Sequence, residues 1–283
     1  MAEEIAMRKS VPSMGAAELD ALRESYRQMM ALPAEDNRGW QHWAGHHGFP
    51  GGQCWHHGRV FNGQQPMEVH LFLPWHRAYL LGIEHAMRDR VPQVALPWWD
   101  WSSTRAHQDG IPDAFAQAQI GGVDNPLAAG PVPTMDGQPA RKTKRFPGPP
   151  DALPSRQQVR DALALTDFID FSTAVEDLHD AVHGWCGGVS QSDAGTEFGD
   201  MGSVATAAYD PIFWTHHCTI DRLWYLWQLR HGLNNIPVAY LDLPLSPWSL
   251  RVRDVLDIRR LGYDYAAAHL QLPFLDFFHH QPA

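Results

Sequence analysis

The run Asp210-Pro-Ile-Phe-Trp-Thr-His216-His217-Cys-Thr-Ile-Asp221-Arg222-Leu-Trp224 constrains this chain most, because it sets adjacent histidines inside a helix that is otherwise strongly aromatic. One of the two must point inward. A buried imidazole needs polar partners, and the same demand recurs along the chain. In Glu176-Asp-Leu-His179-Asp-Ala-Val-His183, two histidines four residues apart leave one face of a helix and can reach one metal ion. The N-terminal half repeats the theme with His46-His47 ahead of a Gly-Pro turn, His56-His57 after Cys54-Trp55, and His76 in Phe72-Leu-Pro-Trp-His76-Arg77. Backbone carbonyls explain any one of these; for six histidines a shared metal is the less strained explanation.

Ligand type selects the metal. Sites of imidazole alone suit Zn, Cu, Fe or Ni, and three widely spaced cysteines, Cys54, Cys186 and Cys218, argue against a disulfide framework or an all-thiolate zinc site. A carboxylate-bridged di-iron bundle wants Glu-x-x-His on each of two helices plus two further Glu. Glu176-x-x-His179 supplies one such motif, and a second is not found. Two three-His sites facing each other across a four-helix bundle suit a copper pair, each ion giving one electron to O2.

The balance of 22 Lys and Arg against 32 Asp and Glu, net −10 with His neutral, and the lack of any basic run weigh against nucleic acid or an anionic membrane as partner. Nothing approaches the roughly 20 apolar residues of a membrane span. The N-terminal Met1-Ala-Glu-Glu-Ile-Ala-Met7 is acidic and lacks an apolar core, so it does not read as a secretory signal. The expectation is a cytoplasmic protein, with export by another route left open.

The pattern predicts one mainly α domain over 1–283, a four-helix bundle core with long loops and a few short strands. Helices are expected over Ala16 to Met30, capped by Ser13; Asp36 to His47; Pro74 to Arg90; Thr166 or Asp167 to about Val182; and Pro211 to about Arg230. Residues 105–154, rich in Gly and Pro, read as an irregular surface excursion, and 234–283 as a loop-rich C-terminal segment with short β-prone stretches.

Five stretches resemble one family. Phe72-Leu-Pro-Trp-His76-Arg77-Ala-Tyr-Leu, Leu96-Pro-Trp-Trp-Asp100-Trp, Leu178-His179-x-x-x-His183 with Gly187-Gly188, the run from Asp210 to Trp224, and more weakly Asp254 to Tyr265 are similar to the type 3 copper proteins of the tyrosinase and polyphenol oxidase group. The likeness is to the bacterial type without a C-terminal lid domain, and it covers about residues 36 to 265. It implies a first copper (CuA) on His47, His56 and His76 and a second (CuB) on His179, His183 and His217. His47 is preferred to His46 because the family's first ligand commonly precedes a Gly-x-Pro turn, with His42 the competitor from helical spacing alone. His217 is preferred to His216 as the second of the doublet, leaving His216 a structural neighbour. The family's usual second CuA position falls on Met67, so His56 is taken from Cys54-Trp-His56, with His57 and His70 as alternatives. Some members join that Cys and His by a thioether; a small buried hydrophobe is an equal reading of Cys54.

The resemblance also implies catalytic roles around the metals: Phe213 as an aromatic gate over CuB, and Glu176 as a carboxylate that orients a water to deprotonate a phenol. Asp180 stands where several efficient phenol hydroxylases carry Asn, which weakens the expectation of monophenol hydroxylation, and Gly184 has no side chain to steer substrate. The implied reaction is that of a catechol oxidase or tyrosinase: O2-dependent oxidation of small o-diphenols or o-aminophenols to quinones or quinone imines, with ortho-hydroxylation of a monophenol as an additional step. A helper protein for copper delivery is left open. The alternatives are a hemocyanin-like O2 carrier and a structural metal-binding bundle without redox activity. Carriers bury the metal pair beneath another domain, and the 18 residues after Tyr265 are too few for one, which favours the enzyme.

Overall fold

The computed structural model describes residues 5–60, 69–135, 137–193 and 195–266; Met67 and the aromatic tail from Pro273 to His279 lie outside them. Strand β1 (Ala6–Arg8) leads through a 3-10 turn into α1 (Ala16–Met30), whose bounds are those predicted. Its cap is not Ser13, which ends the 3-10 turn. Gly15 holds that position, its N–H donating to Glu18 Oε2 at 2.8 Å. Helix α2 (Trp40–His47) starts later than expected, because Asp36 folds the preceding residues into a turn by accepting from the N–H and guanidinium of Arg38. A short hairpin of β2 (Trp55–His56) and β3 (Arg59–Val60) precedes α3 (Phe72–Arg88).

The 105–154 excursion is largely irregular. It holds α4 (Ala106–Asp109), α5 (Asp113–Ala116) and two minimal ladders, β4 (Gln119–Ile120) with β5 (Val123–Asp124) and β6 (Pro131–Val132) with β7 (Arg141–Lys142). Helix α6 (Arg156–Ala164) was not predicted, although Ser155 and Gln158 form a capping box. Asp167 caps α7 (Phe168–Gly187), accepting from the N–H groups of Ile169 and Asp170, and the helix runs on past Val182. A hairpin, β8 (Val189–Ser192) with β9 (Gly195–Phe198), precedes α8 (Pro211–His231), which Asp210 caps with Pro211 in the first turn. Strand β10 (Tyr263–Tyr265) returns to pair in parallel with β1.

Helices α3 and α8 lie against each other at the centre, and α7 packs on both. Residues 72–81 of α3 and 211–224 of α8 are all buried, as expected of helices surrounded by protein. Helix α2 completes the four-helix bundle through Trp43. The Tyr79 hydroxyl donates to the Trp43 carbonyl, and Gly82 leaves room for the indole, which a Cβ there would approach to 2.4 Å. No helix among the described residues is long and apolar enough to cross a membrane.

A buried ionic cluster ties β1 and β10 to the two central helices. Arg8 is bidentate to Glu84 of α3 at 3.0 and 3.2 Å, reaches Asp221 of α8 at 3.2 Å, and lies over the Tyr263 ring. Arg77, the residue after His76, donates to the other Asp221 oxygen at 2.5 Å and stacks on Trp224. The hydroxyls of Tyr263 and Tyr265 also donate to Asp221, at 2.7 and 2.6 Å.

Candidate metal centre

The six predicted histidines converge from five elements. His47 is the last residue of α2, His56 lies in β2, His76 in α3, His179 and His183 in α7, and His217 in α8. The donor atoms of His47, His56 and His76 lie within 4.8 Å of one another, and those of His179, His183, His216 and His217 do likewise. In the first set the Nε2 atoms of His47 and His56 are 3.4 Å apart; in the second, His217 Nε2 is 3.2 Å from that of His179 and 3.3 Å from that of His183.

Ring orientation divides the histidines. An imidazole lone pair lies in the ring plane, so rings that share an ion must be inclined to each other rather than stacked. Within the first triad the interplanar angles are 84°, 55° and 65°; among His179, His183 and His217 they are 64°, 72° and 64°. Between triads, His76 stacks on His217 at 4.5 Å and 21°, and His56 on His179 at 5.5 Å and 28°. His216 lies nearly parallel to His179, at 5.1 Å and 17°, is inclined by 78° to His183 and 69° to His217, and keeps both ring nitrogens buried without a partner. His217 is the member of the doublet whose Nε2 lies closest to those of His179 and His183, at 3.2 and 3.3 Å.

Tautomers follow from the outer partners. The Nδ1 atoms of His47, His76 and His183 donate to the carbonyls of Val204, Phe72 and Met201 at 3.2, 2.8 and 2.6 Å, and His179 Nδ1 donates to Asp180 Oδ1 at 2.8 Å. Carbonyls only accept, so those Nδ1 atoms carry the protons and the Nε2 lone pairs face inward. His47, His179 and His183 therefore turn bare Nε2 lone pairs toward the other triad nitrogens at 3.2–3.4 Å, an arrangement that a cation completes, and His76 Nε2 is buried with no partner. Burial, reinforced by the neighbouring imidazoles, holds His47, His76, His179 and His217 well below the usual histidine range, and burial takes His183 down to about 4. All are neutral at pH 7, as metal binding requires. This donor set fits two borderline ions.

The remaining candidates fall outside the triads. His42 and His46 face each other on another side of α2, beside Trp43. The His57 N–H donates to Glu176 Oε1 at 2.6 Å and its Nε2 meets Asp180 Oδ2 at 2.8 Å. His70 joins neither cluster.

The model of the common central domain of tyrosinase matches residues 37–230, which contain both triads. The chain belongs to the tyrosinase family. It is thus a type 3 copper protein. This tyrosinase-family chain is 30% identical over 197 residues to a tyrosinase of Streptomyces lincolnensis, covering 62% of this chain and 72% of that one. It is also 30% identical over 258 residues to units G and H of the hemocyanin of Sepia officinalis, covering 87% of this chain but only 43% of the hemocyanin. Among solved structures, the tyrosinase of Burkholderia thailandensis at high pH superposes with a TM-score of 0.79 at 24% identity, over 99% of this chain and 77% of that one. A functional unit of octopus hemocyanin superposes at 0.73 and 26% identity, over 96% and 72%.

Around this tyrosinase-family centre, Glu176 is fully buried one turn before His179, with Oε1 also 3.6 Å from His56 Nδ1 and Oε2 outside any hydrogen bond, 4.0 Å from His57 Nδ1. Asp180 spends one oxygen on His179 and the other on His57. That bridge was not legible beforehand, because His57 reaches it through a left-handed backbone, φ 46°, that the sequence does not announce. Phe213 is fully buried between the triads, its ring 4.0 Å from that of His217 and 4.7 Å from that of His47. Cys54 is a fully buried free thiol, raised by that burial.

Proposed function

We propose that this protein is a copper oxidase that uses O2 to convert small o-diphenols and o-aminophenols to quinones and quinone imines, with ortho-hydroxylation of monophenols as a secondary capability. His47, His56 and His76 hold one copper in this reading, and His179, His183 and His217 the other. The observation that carries it is a cavity of about 340 Å³ whose walls include His47, His56, His179 and His183 themselves. Its size, near the lower end for ligand sites, suits a one-ring substrate. Gly184 lies in the same wall, where an added Cβ would meet nothing within 4 Å, so the ring has space on that side.

Two bound coppers supply O2 binding, electron transfer and Lewis acidity toward the phenolate oxygen. The chain supplies the rest. Carbonyl-anchored Nδ1 protons fix the imidazole orientations, Phe213 keeps the space between the triads dry, and Glu176, buried against His56 and His57 of the cavity wall with one oxygen outside any hydrogen bond, takes the substrate hydroxyl proton through one water. Asp180, with both oxygens engaged, acts by orienting His179, which places diphenols and aminophenols ahead of monophenols as substrates.

The copper-loaded protein is expected to hold about two coppers per chain, give a near-ultraviolet band with H2O2, and turn over catechol and an o-aminophenol faster than tyrosine. Reversible O2 binding without turnover of any of them assigns a hemocyanin-like carrier instead, and failure to bind two coppers removes the coupled site. Replacing Glu176 by Gln preserves the His57 N–H contact and removes the base. Turnover should fall about 100-fold or more at unchanged copper content; a parallel loss of copper would make Glu176 a structural residue.

A further inference from the structure

We propose a separate mononuclear metal site on α2, formed by His42 and His46 and suited to copper(II) or another divalent ion of borderline softness. The two residues are four apart on one helix, so their side chains leave the same face. Their Nε2 atoms are 3.2 Å apart and their rings are inclined by 81°. Two nitrogens at about 2.0–2.1 Å from one ion, bonded at roughly 90–110°, stand about 2.9–3.4 Å apart, which brackets this separation. The same spacing and inclination recur inside the two triads, where Nε2 pairs lie 3.2–3.4 Å apart and the rings meet at 55–84°. In the metal-free pair one Nε2–H donates to the other; on binding, that proton moves to Nδ1 or to solvent and both lone pairs face the ion.

The site is distinct from the dicopper centre. Neither histidine belongs to the triad clusters; Trp43 lies 5.6 and 5.8 Å from the two rings, Trp248 lies 6.1 Å from His46, and the Gln53 side chain hydrogen-bonds His46. Both imidazoles are only partly buried, so water fills the remaining coordination positions and the ion exchanges freely.

The test is a titration of the copper-loaded full chain with Cu(II), followed by electron paramagnetic resonance and tryptophan fluorescence and repeated with His42→Ala and His42→Gln. Wild type is expected to take one further Cu(II), with a mononuclear signal split by two nitrogens and quenching of nearby indole emission. Either variant should bind that ion at least about tenfold more weakly, while the H2O2 band and catechol turnover stay at wild-type levels. Because the result is the difference between wild type and the His42 variants, it does not depend on the state of the coupled pair. Equal affinity for the further Cu(II) in all three proteins, or no such signal in wild type, overturns the proposal.

Discussion

Replacing His217 by alanine is expected to leave a folded protein that holds one copper, shows no near-ultraviolet band with H2O2, and has lost turnover by far more than the roughly 10–100-fold that removal of an outer partner costs. His217 Nε2 is the atom nearest to both other donors of its triad, and its ring stacks on His76 of the facing triad. Its removal therefore opens the second site and the contact between the two sites together. The metal-free fold should tolerate the change, because His217 Nδ1 is buried without a partner and its loss leaves no carbonyl orphaned. Stability should instead diverge once copper is added, since a ligand at 1,000 times its dissociation constant contributes about 4 kcal/mol. His216→Ala is the informative contrast. With His217 the closer donor to His179 and His183, two coppers and the band should persist. If copper is lost from His216→Ala and retained in His217→Ala, the assignment of the doublet is reversed.

The parts of this centre that were legible in the sequence are those fixed by helical spacing. His179 and His183 share a face whatever surrounds them, and a doublet within an aromatic helix must turn one ring inward. The partners that set the tautomers were not legible. Val204 and Met201 offer carbonyls from the irregular stretch between β9 and α8, and nothing in a sequence marks a carbonyl that loop closure will bring to an imidazole. His56 was reached only through its likeness to a Cys-x-His pattern, since a two-residue strand has no periodicity to read. In the fold, α1 was predicted to the residue because its apolar positions repeat over four turns, whereas α2 was overextended because Asp36 and Arg38 bind each other and hold the chain in a turn. Helix α6 was passed over despite its capping box, its short apolar stripe being hidden behind a Pro-rich approach. Arg8 gave no signal at all, as a lone cation near an N-terminus is ordinarily solvated.

Asp221→Ala should be the most destabilising single change outside the metal centre, by about 3–5 kcal/mol. Burial alone would raise this carboxyl, yet Arg77, Arg8 and the Tyr265 hydroxyl outweigh it and hold it below the usual carboxylate range. The substitution leaves two guanidiniums in a site from which water is excluded. Arg8 keeps Glu84, but Arg77 keeps only neutral acceptors, Gln228 and the carbonyls of residue 221, Val255 and Leu256. Tyr263 loses its acceptor as well, an added cost of about 1–3 kcal/mol for each buried polar group left unmade. For a chain of this length the thermal midpoint should drop by roughly 10 °C, measured by calorimetry on metal-free protein so that copper does not mask it. The consequence reaches the metals, because Asp221 lies one helical turn after His217 and Arg77 directly follows His76, so the same carboxylate holds α3 and α8 in register on both sides of the copper pair. Copper content should therefore fall in Asp221→Ala, while Tyr263→Phe, which removes one hydroxyl and leaves both ion pairs, should cost only about 1 kcal/mol and keep both ions. A midpoint for Asp221→Ala within 2–3 °C of wild type, at roughly 1 kcal/mol or less on this scale, would mean that water or a rearranged Glu84 replaces the carboxylate, and the cluster would then have no part in aligning the two helices.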